Sequence, residues 1–172
     1  MEATISPHIR VPAKSHSLQR VRAFCKDVLN ENLCGDPQFL RQMVLAIDEA
    51  VANVIEHAFA QKPGDAVGTI EISLEIHQDR IITRIVDRGT EFDPRIRDNE
   101  AVQIADPKDD DGHSLPTCEL YPGHRRSSSH FPYRGYGRQL IHLIMDQIDY
   151  QRTPQGENLL VLTKLLPKGE VA

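Results

Sequence analysis

The chain has 172 residues, with 20 Lys and Arg against 25 Asp and Glu, so its formal net charge is −5. A hydrophobic fraction of 40% and a charged fraction of 26% exclude a mostly disordered chain, a collagen-like repeat and a disulfide scaffold. The length predicts one domain, which buries about 70% of its unfolded surface without staples, and the acidic balance argues against direct nucleic-acid binding, which needs net basic surface.

The segment from Thr4 to Ala13 can hold a short strand, with Ile9 and Val11 on one face. Pro7 and Pro12 confine it to a sheet edge. From Ser15 the pattern turns helical, because Leu18, Val21, Cys25, Val28 and Leu29 recur at three- and four-residue steps. Asp36-Pro37 starts a second helix, with Asp36 as cap and Pro37 in the first turn. That helix is predicted to run to about Ala60, burying Phe39, Leu40, Met43, Ile47, Ala50, Val51, Val54 and Phe59.

Two strands follow. Ile70, Ile72, Leu74 and Ile76 alternate with polar residues, and Arg80 to Asp87 pairs antiparallel across the short Gln78-Asp79 connection. From Phe92 to Arg134 the periodicity fails, in a stretch rich in Pro, Asp, Ser, His and Gly. A loop of this length in a compact domain reads as a lid or a disordered segment. Periodicity returns at Gly137, where Leu140, Ile141, Ile144, Met145 and Ile148 mark a buried helix face. Asp149 to Thr153 and Leu159 to Leu166 then form a hairpin. The predicted architecture is α+β, a two-layer sandwich of mainly antiparallel sheet with helices on one face.

Cys25, Cys34 and Cys118 form no C-x-x-C pair, and the eight histidines show no H-E-x-x-H spacing. Reduced thiols and no transition-metal site are expected. No stretch approaches the roughly 20 apolar residues that span a bilayer. The first residues lack a signal-peptide pattern, so a cytoplasmic protein without membrane attachment is expected.

Three motifs can carry chemistry. Glu49 and Asn53 stand four apart on one helix face, together with Asp48, Ala52, Glu56 and His57. As a bare pattern this is a solvated face; as a site it presents a carboxylate and an amide oxygen to a hard cation and a hydroxyl. Asp87-Arg88-Gly89 closes a strand. It can be an ordinary turn, or a carboxylate facing an exocyclic amine with Gly89 admitting a flat ring. Arg134-Gly135-Tyr136-Gly137-Arg138 precedes a helix, where backbone N–H groups can close around phosphate oxygens. It does not extend to a dinucleotide fingerprint.

Taken in order, these elements resemble the N box and glycine boxes of the GHKL ATPase superfamily, and within it the bacterial anti-sigma-factor serine/threonine kinases. The N box is Asp48-Glu49-Ala50-Val51-Ala52-Asn53-Val54-Ile55-Glu56-His57, and the first glycine box is Asp87-Arg88-Gly89-Thr90-Glu91-Phe92-Asp93-Pro94. The second runs from Arg134 to Ile141 with Met145-Asp146, and Leu159 to Lys164 matches the last strand of the family. The resemblance spans nearly the whole chain.

It implies a single Bergerat-type, histidine-kinase-like ATPase domain over 1–172, with 93–134 as the ATP lid. It implies ATP and Mg²⁺ as cofactors, with Asn53 on Mg²⁺ and Glu49 as general base. Asp87 would bind the adenine amine with Gly89 beside the ring, and Gly135 and Gly137 would bracket the phosphates. Arg134 and Arg138 would contact phosphate, and Thr163 would reach adenine through water. The implied partners are a small anti-anti-sigma (STAS-type) protein, which is the phosphoacceptor, a sigma factor, and a second copy in a homodimer. The chain departs from the family pattern at Tyr136, at Gly156-Glu157 where Gly-Thr is common, and in the length of the lid. Two alternatives therefore stand beside the kinase: a partner-switching module without kinase activity, and a detached histidine-kinase catalytic domain.

Overall fold

Alternating apolar residues put one face of each central strand into the core. In the computed structural model, which describes residues 6–33, 36–59, 68–95 and 136–166, this alternation builds a five-stranded antiparallel sheet. The strands are β1 (His8–Pro12), β2 (Thr69–Ile76), β3 (Arg80–Asp87), β4 (Gln147–Arg152) and β5 (Asn158–Leu165), in the spatial order β1-β2-β3-β5-β4. Three helices accompany them: α1 (Ser17–Asn32), α2 (Pro37–Asn53) and α3 (Tyr136–Ile144). All described residues belong to the unit formed by Met1–Ile96 and Arg134–Ala172. The expected lid lies outside the described residues apart from 93–95, as do Arg134, Gly135, Cys34 and Cys118.

Register explains the one-sided core. Ile72 stands opposite Ile85, Leu74 opposite Thr83, Thr83 opposite Leu162 and Ile85 opposite Leu160. All of these are buried, together with Val21, Leu29, Met43, Ile47 and Val51 of the helices. The other sheet face carries Glu71, Glu75, Arg84, Ile82 and Val86, none of them fully buried. Proline-flanked β1 is an edge strand, as expected. Cys25 is a buried core residue, and burial pushes its thiol up to about 12.

Asp36 caps α2 by accepting a hydrogen bond from Gln38 N at 3.0 Å, with Pro37 in the first turn. The predicted single helix to Ala60 is instead α2 followed by a π-helical turn, Val54–Ala58. The third helix also ends earlier than its apolar spacing implied. Met145 N still bonds Ile141 O, but Asp146 N donates to Thr163 O at 3.0 Å, which draws the chain into the sheet. Ile148 therefore lies on β4, where it faces Leu162 in register. None of the described helices is long and apolar enough to cross a membrane.

A substitution pair checks which face is covered. Ile72→Ala on the inner face is expected to cost about 3 kcal/mol in a denaturant titration. Ile82→Ala on the outer face should cost about 1 kcal/mol. Equal losses would contradict a one-sided core.

Candidate functional site

The last turns of α2 carry the first group of residues. Glu49 and Asn53 share a helix face, and Gly137 in the first turn of α3 packs against both. A Cβ at Gly137 would collide with Glu49 Oε2 and lie 3.8 Å from Asn53 Nδ2. Glycine here is a matter of space: any side chain would displace the carboxylate.

Asp48 does not join the outward face predicted for it. It is 7% exposed, and Arg22 of α1 grips it in a two-point ion pair, with Nε to Oδ1 and Nη2 to Oδ2 both at 2.8 Å. The helix turns this carboxylate toward α1, where only a paired guanidinium makes its burial tolerable. Among the described residues Glu49 has no such partner. Desolvation first, and the neighbouring Asp48 charge second, hold its carboxyl above the ordinary glutamate range, with Arg22 partly opposing. A carboxylate so placed is a stronger base than a solvated one.

The second group sits where β3 ends. Asp87 is 4% exposed, and its Oδ1 accepts from Gly89 N at 2.7 Å and Asn158 Nδ2 at 2.8 Å. Asp87 and Asn158 face each other across the β3–β5 pair. Asn158 also donates to Thr90 O at 3.2 Å, and its Oδ1 accepts from Tyr150 OH at 2.8 Å and from Arg152 Nη1. Arg152 Nη1 reaches Gly89 O at 3.3 Å, and Tyr150 OH accepts from Phe92 N at 3.3 Å. The loop after β3 is thus tied to two other strands.

The same loop is pinned to the end of α2. Thr90 N donates to Ala58 O at 2.8 Å. A Cβ at Gly89 would stand 2.5 Å from that oxygen, so only glycine permits the approach. The His57 ring stacks on Phe92 with centroids 4.5 Å apart and planes 20° from parallel. Arg138 of α3 lies over the Phe92 ring at 5.5 Å. Glu49, Asn53 and Gly137 therefore meet directly, and Asp87 and Gly89 are linked to them through Ala58, His57, Phe92 and Arg138.

Thr163 is not brought to this place. It faces Ile82 and Gln147 in register, on the strand parity opposite to Asn158, Leu160 and Leu162. Alternation along β5 sends its side chain to the outer face. The β5 residue beside Asp87 is Asn158, which like Tyr150, Arg152 and Arg22 lies outside the three motifs. The one usable signal was a polar residue directly after a tight hairpin, where Gly156 adopts a φ of +82°.

The donor set fits a hard cation that keeps most of its ligands from water and substrate. Among the described residues no cluster of three or more His, Cys, Asp or Glu could hold a metal by itself. Asn53 Nδ2 is buried without a hydrogen-bond partner among the described residues. The two ends of an amide are nearly isosteric, so half a turn presents the oxygen at the same place. One amide oxygen with a carboxylate nearby suits Mg²⁺ and not a transition metal.

Residues 11–164 match the family model described as histidine kinase-like ATPase domain. The serine-protein kinase RsbW of Halalkalibacterium halodurans is 28% identical over 161 residues, covering 94% of this chain and 83% of the relative. The protein of the same name from Bacillus cereus strain ZK / E33L is 27% identical, covering 99% of this chain and 91% of the relative.

Two measurements check the charges around Glu49. Its raised pKa means that the folded state disfavours ionisation, so stability falls as pH rises through and beyond the usual glutamate range. Glu49→Gln should therefore be more stable than wild type at pH 7, with the advantage vanishing in acid below the ordinary value. Arg22→Ala leaves a buried Asp48 carboxylate without its two donors, and a denaturation midpoint should report a loss of about 2 kcal/mol. An unchanged midpoint would show that Asp48 does not depend on Arg22.

Proposed function

This chain belongs to the histidine kinase-like ATPase domain family, and from that premise we propose that it is an ATP-dependent protein serine/threonine kinase acting as an anti-sigma regulatory factor. Its substrate is a serine on a small anti-anti-sigma (STAS-type) protein, and its regulated partner is a sigma factor, which it sequesters. The protein works as a homodimer in the cytoplasm. The observation that carries this reading is the packing of Gly137 against both Glu49 and Asn53. Nearly full-length likeness to two proteins named serine-protein kinase supports the choice of phosphoacceptor.

The residues divide the work. Asp87 accepts a hydrogen bond from the exocyclic amine of adenine, and Gly89 leaves room beside the ring. Asn53 would hold Mg²⁺ through its side-chain oxygen. Arg138 would contact the phosphates, Gly137 would let the backbone approach them, and by resemblance to the family Arg134 and Gly135 would contribute as well. When bound, MgATP supplies the phosphoryl group and the cation that offsets its charge. Glu49 accepts the proton from the serine hydroxyl at its carboxylate oxygen, a task its raised pKa favours. Phosphoryl transfer depends mostly on positioning and charge, which suits a site with one base and few fixed ligands.

Labelled ATP with Mg²⁺ and a candidate antagonist tests the reading. Wild type should transfer label to an antagonist serine, and Glu49→Gln should lose at least a hundredfold in rate while still binding nucleotide. Asn53→Ala should abolish the Mg²⁺ dependence of ATP binding. Tight ATP binding without transfer to any antagonist would favour the partner-switching module, and phosphohistidine on a partner would favour the histidine-kinase alternative. Gly137→Ala is a separate check. It should retain or raise thermal stability, since Ala is the better helix former by about 1 kcal/mol. It should nonetheless slow transfer at least tenfold, because its methyl displaces Glu49.

A further inference from the structure

Asp87 is buried, Arg152 is exposed on β4, and the Asn158 amide stands between them. The direction of that amide is set by its neighbours. Asp87 offers only acceptors, so Nδ2 must face it, and Arg152 offers only donors, so Oδ1 must face the guanidinium. The amide dipole thus lies between a cation and an anion, aligned with both. Tyr150 OH adds a second donor to Oδ1 at 2.8 Å. Burial raises the Tyr150 phenol above its ordinary range, which keeps it a donor. On the far side, Gly89 N joins Asn158 Nδ2 on Asp87 Oδ1.

We infer that Asn158, Arg152 and Tyr150 are positioning residues that set nucleobase specificity, by holding Asp87 in one orientation as a hydrogen-bond acceptor. A base that presents an amino group to Asp87 is then accepted. A base that presents a carbonyl oxygen at the same place meets a second acceptor and is rejected. This rests on the nucleotide-binding reading above and assigns its base selectivity to three residues outside the family boxes.

The experiment compares dissociation constants for ATP and inosine triphosphate, which replaces the amine by an oxygen, in the full chain with Mg²⁺. Wild type should prefer ATP by at least tenfold. Asn158→Asp puts a second carboxylate against Asp87, and two facing carboxylates share a proton, so one becomes a donor. The ATP preference should then shrink at least tenfold. Arg152→Met should reduce it at least threefold. This variant keeps the test open if Asn158→Asp fails to fold, because Arg152 is exposed. Tyr150→Phe should move the ratio in the same direction, and Arg152→Lys should retain most of it. A role limited to stability would lower both affinities together and leave the ratio unchanged. An unchanged ratio in Arg152→Met, with wild-type preference intact, overturns this inference and leaves the nucleotide reading standing. No preference in wild type overturns both.

Discussion

The hydrogen bond from Asn158 to Asp87 closes the corner on which the candidate site is built. It joins the last residue of β3 to the first residue of β5 at a buried point. Asp87 is a buried carboxylate, and taking away a donor from such a group is costly. Without that bond Asn158 would be a buried amide whose Nδ2 kept only the longer contact to Thr90 O. Together with Tyr150, Arg152 and Thr90 they form one connected hydrogen-bond cluster. The loop after β3 inherits its course from this cluster and reaches the end of α2 through the Thr90–Ala58 bond.

The opposite end of the site follows another logic. Two acidic residues stand side by side on α2, and the fold treats them differently. Asp48 is neutralised by Arg22, while Glu49 is left partly desolvated beside it. Stability would be greater with one acid fewer. A destabilising acid of this kind is what a site tuned for chemistry rather than for stability would contain. The π-helical turn belongs to the same region. Such turns gather at functional sites, and here it carries His57, which stacks on Phe92, and Ala58, which anchors Thr90.

Much of this fold is legible in the spacing of residues along the chain. Period-two apolar spacing located β2 and β3 within a residue, because a strand with one buried face must alternate. Asp36-Pro37 marked the start of α2 because a helix N-terminus needs an acceptor and tolerates a missing N–H. Periodicity failed at the boundary between α3 and β4. Ile148 is apolar at a helical step, and nothing local distinguishes a buried helix residue from a buried strand residue.

The sequence by itself determined the local facts: which residues alternate, which helix face holds Glu49 with Asn53, and where turns must fall. These depend on neighbours a few positions apart, so spacing expresses them. Only the tertiary structure decided which polar residue stands against Asp87. Strand register selected Asn158 and sent Thr163 to the other face, because a strand's side chains alternate and pairing sets the phase. Chain folding likewise brought Arg22 to Asp48 and Gly137 to Glu49. Those partners are distant in the chain, and no periodicity records them. The net charge of −5 likewise says nothing of how the acids are arranged. Their burial and pairing, and not their number, distinguish Asp48, Glu49 and Asp87.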